Sequence, residues 1–224
     1  MNPSYLYAAL LDVLGYRQLL DRDLGTGRLD FQEKLAEALR IFETVNEAVF
    51  RVQAISDTII LTCNEHQHFP EFLGILRSVF IAFLRQGVFV RGGVAYSRHF
   101  QSGRLTYSHA VARAYELESK LAGYPRIVVD KNIIEMYANG QDLPQISSCN
   151  LLCVENGVYF LDVVTPLNWT EVYTYAKDIH DTSLKTFMSD ESAFSKHIRF
   201  ERYLLASPSA PSGATGFVGQ IKET

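Results

Sequence analysis

The chain has 224 residues, 47% of them hydrophobic, and a formal net charge of −4 at pH 7. It is long enough for one sizeable core, and its mild acidity gives no electrostatic reason to expect nucleic acid or an acidic membrane as the main partner. The N-terminal run lacks a basic region and is too short to span a bilayer, and the three cysteines form no C-x-x-C pair. We therefore expect a cytoplasmic protein with reduced thiols.

Hydrophobic periodicity organises the first half of the chain. A nearly unbroken apolar run followed by Gly15 is typical of a strand and a tight turn, and apolar residues at helical spacing come after it. Further on, a loosely alternating segment becomes fully apolar, as expected for a central hairpin strand. The pattern predicts, in chain order, a strand over 5–14, a helix over 16–22, a helix over 30–49, a hairpin strand over 50–63 and a helix over 69–85.

The second half of the chain continues with shorter elements. β-Branched and aromatic residues indicate strands, the pair Asn156-Gly157 indicates a hairpin, and helical spacing returns from Trp169. The predicted elements are a strand over 88–95, a helix over 108–120, strands over 126–129, 151–154 and 158–163, and helices over 169–188 and 191–205. We expect one domain over 1–205 and, because the end is rich in Pro, Ser and Gly, a disordered tail over 206–224.

The order of these elements predicts the fold class. A strand, helices, a hairpin, a helix and a strand, followed by another helix and strand, fit an α+β domain. In such a domain, helices pack on one face of a mostly antiparallel sheet. Ferredoxin-like palms have this form.

Two aspartates interrupt apolar strand segments, Asp12 in YAALLDVLGY and Asp57 in VQAISDTIILT. A carboxylate on a buried strand is costly unless it is compensated, and a bound divalent cation is the usual compensation. Two such carboxylates on neighbouring strands would form an all-oxygen site, which suits Mg²⁺ or Mn²⁺ better than zinc. Either aspartate alone also fits a turn or an N-cap.

Four segments resemble, in this order, the class III nucleotide cyclases over about residues 5–130. They are LLDVLGYRQLL, ISDTIILT, VRGGVAY and SHAVARAYELESKLAGYPRIVVD. The chain is most similar to the bacterial Pycsar pyrimidine cyclases, which are standalone homodimers that make cyclic UMP or cyclic CMP from UTP or CTP in antiphage defence. The resemblance implies the palm fold of a cyclase catalytic domain and a homodimer with shared active sites, whose product acts on a downstream effector.

The resemblance also assigns residues to the site. It implies that Asp12 and Asp57 form the catalytic pair and hold two Mg²⁺ or Mn²⁺ ions together with the backbone carbonyl of Val13. The guanidinium of Arg91 would reach the β- or γ-phosphate, although Arg91 also fits an exposed charge at a sheet edge. Backbone N–H groups of the turn would bind the phosphates, and they belong to Leu14, Gly15 and Tyr16.

Departures from the family pattern indicate a different base. Purine cyclases carry a base-reading lysine four positions before the second aspartate, where this chain has Gln53. The amide of Gln53 can both donate and accept, as a uracil or cytosine edge demands. The ring of Phe50 would stack on the base, or it would belong to the core. We therefore predict a pyrimidine nucleotide cyclase that converts UTP to cyclic UMP, with CTP as the alternative substrate.

The predicted helix over 108–120 lacks the family's asparagine and arginine, which would fall on Ala112 and Glu116. His109 and Arg113 are four residues apart and share a helix face. Arg113 would supply the missing catalytic charge and His109 would contact the substrate, or both would lie on a solvated face. The losses leave two other hypotheses open: an inactive nucleotide-binding or dimerisation module, and another two-metal palm enzyme such as a diguanylate synthase.

Overall fold

The computed structural model describes residues 4–102, 105–140, 151–187 and 190–218. Its strands are β1 (Ser4–Val13), β2 (Phe50–Ile55), β3 (Thr58–Cys63), β4 (Val90–Ser102), β5 (Leu105–Ser108), β6 (Ile127–Val129), β7 (Leu152–Glu155) and β8 (Val158–Leu161). Its α-helices are α1 (Tyr16–Thr26), α2 (Asp30–Leu39), α3 (Phe69–Arg85), α4 (His109–Leu121), α5 (Lys131–Asn139), α6 (Trp169–Phe187) and α7 (Glu191–Ala206). Short 3₁₀ helices lie at Arg40–Thr44 and His66–His68. Among the described helices, none is both long and apolar enough to cross a bilayer.

The described strands form one eight-stranded sheet in the order β2-β3-β1-β4-β6-β8-β7, and β5 pairs with the end of β4. Neighbouring strands are antiparallel except β4 and β6, which are parallel. The first four strands and their helices form two interleaved split βαβ units, which is the ferredoxin-like arrangement. The predicted α+β fold class with a mostly antiparallel sheet is therefore confirmed.

One face of the sheet carries the main hydrophobic core. Because successive side chains of a strand alternate between faces, Tyr7, Leu11 and Val13 of β1 point to the same side, where the ring of Tyr7 stacks on Phe69 of α3. The buried residues of α3 are Phe69, Phe72, Leu73, Leu76, Val79, Phe80, Phe83 and Leu84. We call this side of the sheet, which α3 covers, the packed face.

The opposite side, which we call the α4 face, carries the alternate residues, including Leu10 and Asp12 on β1 and Arg91 on β4. Helix α4 packs on it at very short range, because a Cβ at Gly93 of β4 would lie 2.2 Å from the backbone oxygen of Ala114 in α4. No side chain fits in that space. The prediction that helices pack on one face is thus wrong, since α4 covers part of the other.

The long second helix is shorter than predicted. The helix predicted over 30–49 ends as α2 at Leu39 and continues as a 3₁₀ turn to Thr44. After this turn, the side-chain oxygen of Asn46 accepts a hydrogen bond from the N–H of Ala48 over 3.1 Å. Such a local bond offers the backbone an alternative to the helix.

The prediction of a disordered tail over 206–224 is wrong as far as residue 218. Phe217 is buried, and its N–H donates to the carboxylate of Glu201 in α7. The hydroxyl of Tyr173 in α6 donates to the carbonyl of Thr215 over 2.7 Å. These contacts fix the segment across both helices, while the last residues of the predicted tail lie outside the described residues.

Candidate functional site

Asp12 and Asp57 lie side by side at one end of the sheet. Asp12 is opposite Thr58 in the β1–β3 ladder, and the N–H of Val13 donates to the backbone oxygen of Asp57 over 2.9 Å. Asp57 belongs to the turn between β2 and β3, where Ser56 has a φ of 59°. Both aspartates are half-buried. The structure thus brings together the two carboxylate residues that the sequence pairs.

Arg91 is directly opposite Asp12 in the β1–β4 ladder. Its Nε donates to Asp12 Oδ2 over 3.0 Å, and its Nη2 lies 2.7 Å from Oε1 of Glu118 in α4. The guanidinium of Arg91 thus contacts two carboxylates, and its contact with the β- or γ-phosphate stays a prediction. The contact with Asp12 follows from the strand register, since directly opposed side chains on one face of a sheet are within contact distance.

Glu118 is a residue that the sequence reasoning missed. Its side chain is 4% exposed, and burial raises the pKa of its carboxyl, an effect that the charge of Arg91 opposes and that of Asp12 reinforces. Its Oε1 accepts no aligned hydrogen bond from the described residues, so the 2.7 Å approach of Arg91 is a charge contact. The sequence does carry a signal, because Glu118 follows Ala114 by four residues on the buried stripe of α4.

The β1–α1 turn offers two of its three predicted amides to a ligand. Gly15 precedes α1 with a φ of 76°, a conformation that few other residues adopt. The N–H of Leu14 donates to the backbone oxygen of Phe89 over 2.9 Å, so its predicted phosphate contact is wrong. Gly15 and Tyr16 lie where the first N–H groups of α1 have no partner within the helix, and they stay predicted phosphate-binding residues.

A cavity of about 360 Å³ opens on the α4 face, further along the strands from Asp12. It is lined by Ser4, Leu6, Arg51, Gln53, Ile60, Thr62, His99, Thr106 and Val111. Gln53 therefore lies in a space that can hold a ring. Phe50 lies outside the cavity, because it is 1% exposed and its ring packs against that of Phe72 on the packed face. Its predicted stacking on the base is therefore wrong. The odd spacing of Phe50 and Gln53 places them on opposite faces of β2.

His99 is a second residue that the sequence reasoning missed. It lines the cavity, and its Nδ1 is buried without a hydrogen-bond partner among the described residues. Burial and the charge of Arg51 lower the pKa of the imidazole, which keeps it neutral at pH 7. A neutral imidazole offers one donor and one acceptor. Strand alternation carries the signal, because His99 is an even number of residues from Arg91 and shares its face.

Arg113 points to the start of α5. Its Nε donates to Asp130 Oδ2 and its Nη1 to Glu116 Oε2, both over 2.7 Å, and these bonds raise the pKa of the guanidinium. Within one chain this charge joins α4 to α5. The catalytic role of Arg113 stays a prediction, because the resemblance implies that such helix residues act on the site of the other subunit. His109 lies at the exposed start of α4 beside Tyr107, with ring centroids 5.2 Å apart. It is not part of the cavity lining of its own chain, and its substrate contact stays a prediction.

The two carboxylates at the Asp12–Asp57 end of the sheet have the chemistry that suits a hard divalent cation. Mg²⁺ is usually held by one or two protein carboxylates together with substrate phosphates and water. Within residues 4–102, 105–140, 151–187 and 190–218, no group of three or more His, Cys, Asp or Glu side chains could hold a metal ion. Two carboxylates beside the β1–α1 turn are therefore a partial donor set for Mg²⁺ or Mn²⁺, which phosphate oxygens of a ligand would complete.

No protein-family model and no curated protein sequence matches the chain. The solved structures to which it is similar include cyclase domains. The guanylyl cyclase domain of the RhoGC fusion protein from the aquatic fungus Blastocladiella emersonii is 12% identical, with a TM-score of 0.47, over 71% of this chain and 95% of that chain. The guanylate cyclase domain of RhGC from Catenaria anguillulae, in complex with GTP, is 12% identical, with a TM-score of 0.45, over 74% and 100% of the two chains. The guanylyl cyclase Cya2 is 12% identical, with a TM-score of 0.41, over 73% and 94%. Similarity this low leaves the function to be inferred from the residues of the site.

Proposed function

We propose that this chain is a nucleotide cyclase that converts UTP to 3′,5′-cyclic UMP and pyrophosphate. The ribose 3′-oxygen bonds to the α-phosphorus, the bond from that phosphorus to the α–β bridging oxygen breaks, pyrophosphate leaves, and the hydroxyl proton passes to solvent. The observation that carries the proposal is that Asp12, with Asp57 in the adjacent turn, lies at one end of the sheet face on which a cavity with polar groups for a base opens.

The Asp12–Asp57 end of the face binds the triphosphate. Asp12, Asp57 and the backbone carbonyl of Val13 would hold two divalent cations, Mg²⁺ or Mn²⁺, which supply Lewis-acid charge at the phosphates when bound. The N–H groups of Gly15 and Tyr16 bind phosphate oxygens, because the start of a helix carries partial positive charge. This end of the sheet face therefore positions the triphosphate and balances its charge.

The cavity supports a pyrimidine base. The amide of Gln53 and the neutral ring of His99 each offer a donor and an acceptor, and a uracil edge presents both kinds of partner. Leu6, Ile60 and Val111 give the cavity an apolar surface against which a flat ring packs. The base-reading lysine of purine cyclases is replaced by Gln53. CTP is the alternative substrate, because an amide can turn to present the opposite group.

The resemblance to the Pycsar cyclases extends this proposal to the assembly and its biology. In a homodimer the α4 faces of two copies would meet, and each copy would supply residues that the other's site lacks. The side chains of Tyr107 and Tyr115 are 60% and 59% exposed and offer aromatic surface for such a contact. Cyclic UMP would then act on a downstream effector in antiphage defence.

A product assay with all four nucleoside triphosphates tests the proposal. Purified protein is incubated with each nucleotide and Mn²⁺, and cyclic nucleotide and pyrophosphate are quantified by mass spectrometry and a coupled assay. We expect both products in equal amounts from UTP, and a loss of about 100-fold or more in Asp57→Asn, since removing one charge-stabilising group has effects of this size. Asp21→Asn, at an exposed position of α1, is the matched control. Product from ATP or GTP alone would overturn the base assignment.

A second candidate function is a nucleotide-binding module without turnover. It is favoured by one observation, namely that Arg91 and Arg113 are both held by carboxylates, so neither offers a free cation to a developing charge. For this candidate we expect calorimetry to detect UTP binding that Asp57→Asn leaves unchanged, with no cyclic product from any nucleotide.

A further inference from the structure

We propose that Glu118, acting through Arg91, sets the effective charge of Asp12 and thereby the affinity of the site for a divalent cation. The inference rests on the proposed function, because it takes Asp12 as a ligand of that cation. Glu118 is a positioning residue in this scheme, since it acts on Asp12 only through the guanidinium between them.

The three side chains form a chain of charges from helix to strand to strand. The guanidinium of Arg91 donates from Nε to Asp12 over 3.0 Å and approaches Glu118 with Nη2 at 2.7 Å. The side chains of Arg91 and Asp12 are each 25% exposed, whereas that of Glu118 is 4% exposed. The end that a solvated ion can reach is therefore Asp12, and Glu118 is the anchored end.

The close packing of α4 fixes Glu118 in place. A Cβ at Gly93 would lie 2.2 Å from the backbone oxygen of Ala114 and 3.0 Å from the backbone N of Glu118. The helix backbone thus rests directly on β4, two residues from Arg91. The side chain of Glu118 is 4% exposed beside this close contact. We therefore expect the contact of its carboxylate with Arg91 to persist when other partners of Arg91 change.

The buried carboxylate of Glu118 beside Arg91 contributes little to the stability of the fold. A buried carboxylate costs desolvation energy that an ion pair repays only when its geometry is excellent, and here Oε1 accepts no aligned hydrogen bond from the described residues. The nearby charge of Asp12 raises the cost further. A neutral side chain of similar size would pack on Arg91 with less penalty, so the charge of Glu118 has its value in what it does to Arg91.

Glu118 leaves Asp12 able to attract a cation. An arginine that is bound to one carboxylate neutralises it, whereas an arginine shared between two carboxylates leaves one net negative charge on the group of three. Neutralising Glu118 removes that charge, and neutralising Arg91 doubles it. Because the group is half-buried, such changes are weakly screened and alter the binding of a divalent ion strongly.

Mn²⁺ binding to the full chain tests the inference, measured without nucleotide and again with 3′-deoxy-UTP, which cannot cyclise, with the free ion followed by electron paramagnetic resonance. We expect Glu118→Gln to weaken binding about tenfold, Arg91→Gln to strengthen it by about the same factor, and the double variant to return close to the wild-type affinity. A role in packing alone would not reverse sign between the two single variants. Glu116→Gln, on the same helix but paired with Arg113 and Lys120, is the matched control and should bind Mn²⁺ like the wild type.

The outcomes separate this inference from the proposed function. Wild-type protein that forms cyclic UMP, but whose Mn²⁺ affinity is the same in Glu118→Gln, would overturn the inference and leave the function intact. A double variant as weak as Glu118→Gln would also overturn it. If Glu118→Gln does not fold, the double variant is compared with Arg91→Gln instead, and equal Mn²⁺ affinity of those two would overturn the inference. Wild-type protein that neither binds Mn²⁺ nor forms product overturns both.

Discussion

The packed face and the α4 face are built from alternate residues of the same strands, yet they differ in almost every property. On β1 the packed face takes Tyr7 and Leu11 into a continuous apolar core, whereas the α4 face takes Asp12, which pairs with Arg91 and stays 25% exposed. The alternation of side chains along a strand therefore places the residues that stabilise the core on one face and the proposed site residues on the other. A shift of the strand by one residue would move each side chain to the opposite face.

The largest effect should come from the packed face. Phe72 of α3 is fully buried and lies among Tyr7, Phe50 and Phe69. We expect Phe72→Ala to lower the free energy of unfolding by about 3–5 kcal/mol, because it leaves a cavity in the core. Urea denaturation measures this loss. The rate of product formation per folded molecule should change little, and its abolition in folded protein would break the distinction between the two faces.

Gly93 is an exception to the difference between the two faces, because it lies on the α4 face but allows α4 to pack closely on β4. Gly93→Ala forces α4 away from β4 and should lower the free energy of unfolding by about 1–3 kcal/mol. It should also weaken Mn²⁺ binding, since Glu118 moves with the helix. Gly74→Ala in α3, where a new Cβ meets nothing within 4 Å, is the control and should stabilise the protein by about 0.5–1 kcal/mol. Equal stability of the two variants would contradict the close approach of α4.

His197 of α7 is a polar residue on the packed side, beside Phe89 with ring centroids 5.1 Å apart. Burial, with smaller effects from the charges of His180 and Lys196, lowers its pKa from 6.5 to about 3. The unfolded chain thus binds more protons between these values, so stability falls as the pH drops below 6.5. The slope reaches up to about 1.4 kcal/mol per pH unit. His197→Phe should flatten the dependence of stability on pH between about pH 6 and about pH 4, as measured by thermal unfolding. An unchanged slope would refute the lowered pKa of His197.

Gln53 should give the smallest change in stability and the sharpest contrast with Phe50 on the same strand. Gln53→Ala should alter the free energy of unfolding by less than about 0.5 kcal/mol, because the side chain is exposed. It should nevertheless raise the KM for UTP, whereas Phe50→Ala should mainly destabilise the fold. Steady-state kinetics beside urea denaturation of both variants checks this, and an unchanged KM in Gln53→Ala would remove the residue from the base site.

The order of strands and helices is predictable from the sequence because burial determines it. The apolar runs around Leu11 and Ile59 and the helical spacing of α3 reflect a core that any fold of this chain must form. The position of Asp12 beside Asp57 follows from the same order, once β1 and β3 are neighbours. The assignment of Phe50 failed for a local reason, since the alternation of β2 already places it opposite Gln53.

The ion pairs of Arg113 and Arg91 depend on partners in other elements of the fold. The direction of Arg113 is set by Asp130, which reaches it only because α5 begins beside α4. The role of Arg91 depends equally on a helix residue, Glu118, that strand patterns do not reveal. Neither pairing follows from periodicity, because ion pairs between elements depend on how those elements dock.

The carboxylate of Glu201 has a consequence for handling this protein. It is 8% exposed, and its donors include the N–H groups of Phe217 and Val218 in the Pro- and Ser-rich segment after α7. A protease that nicks the chain just after Ala206 would strip an interior anion of these donors and also uncover the rings around Phe217. A preparation clipped there would melt earlier than the few lost residues suggest, so the intact mass of each sample should be verified before any variant is compared.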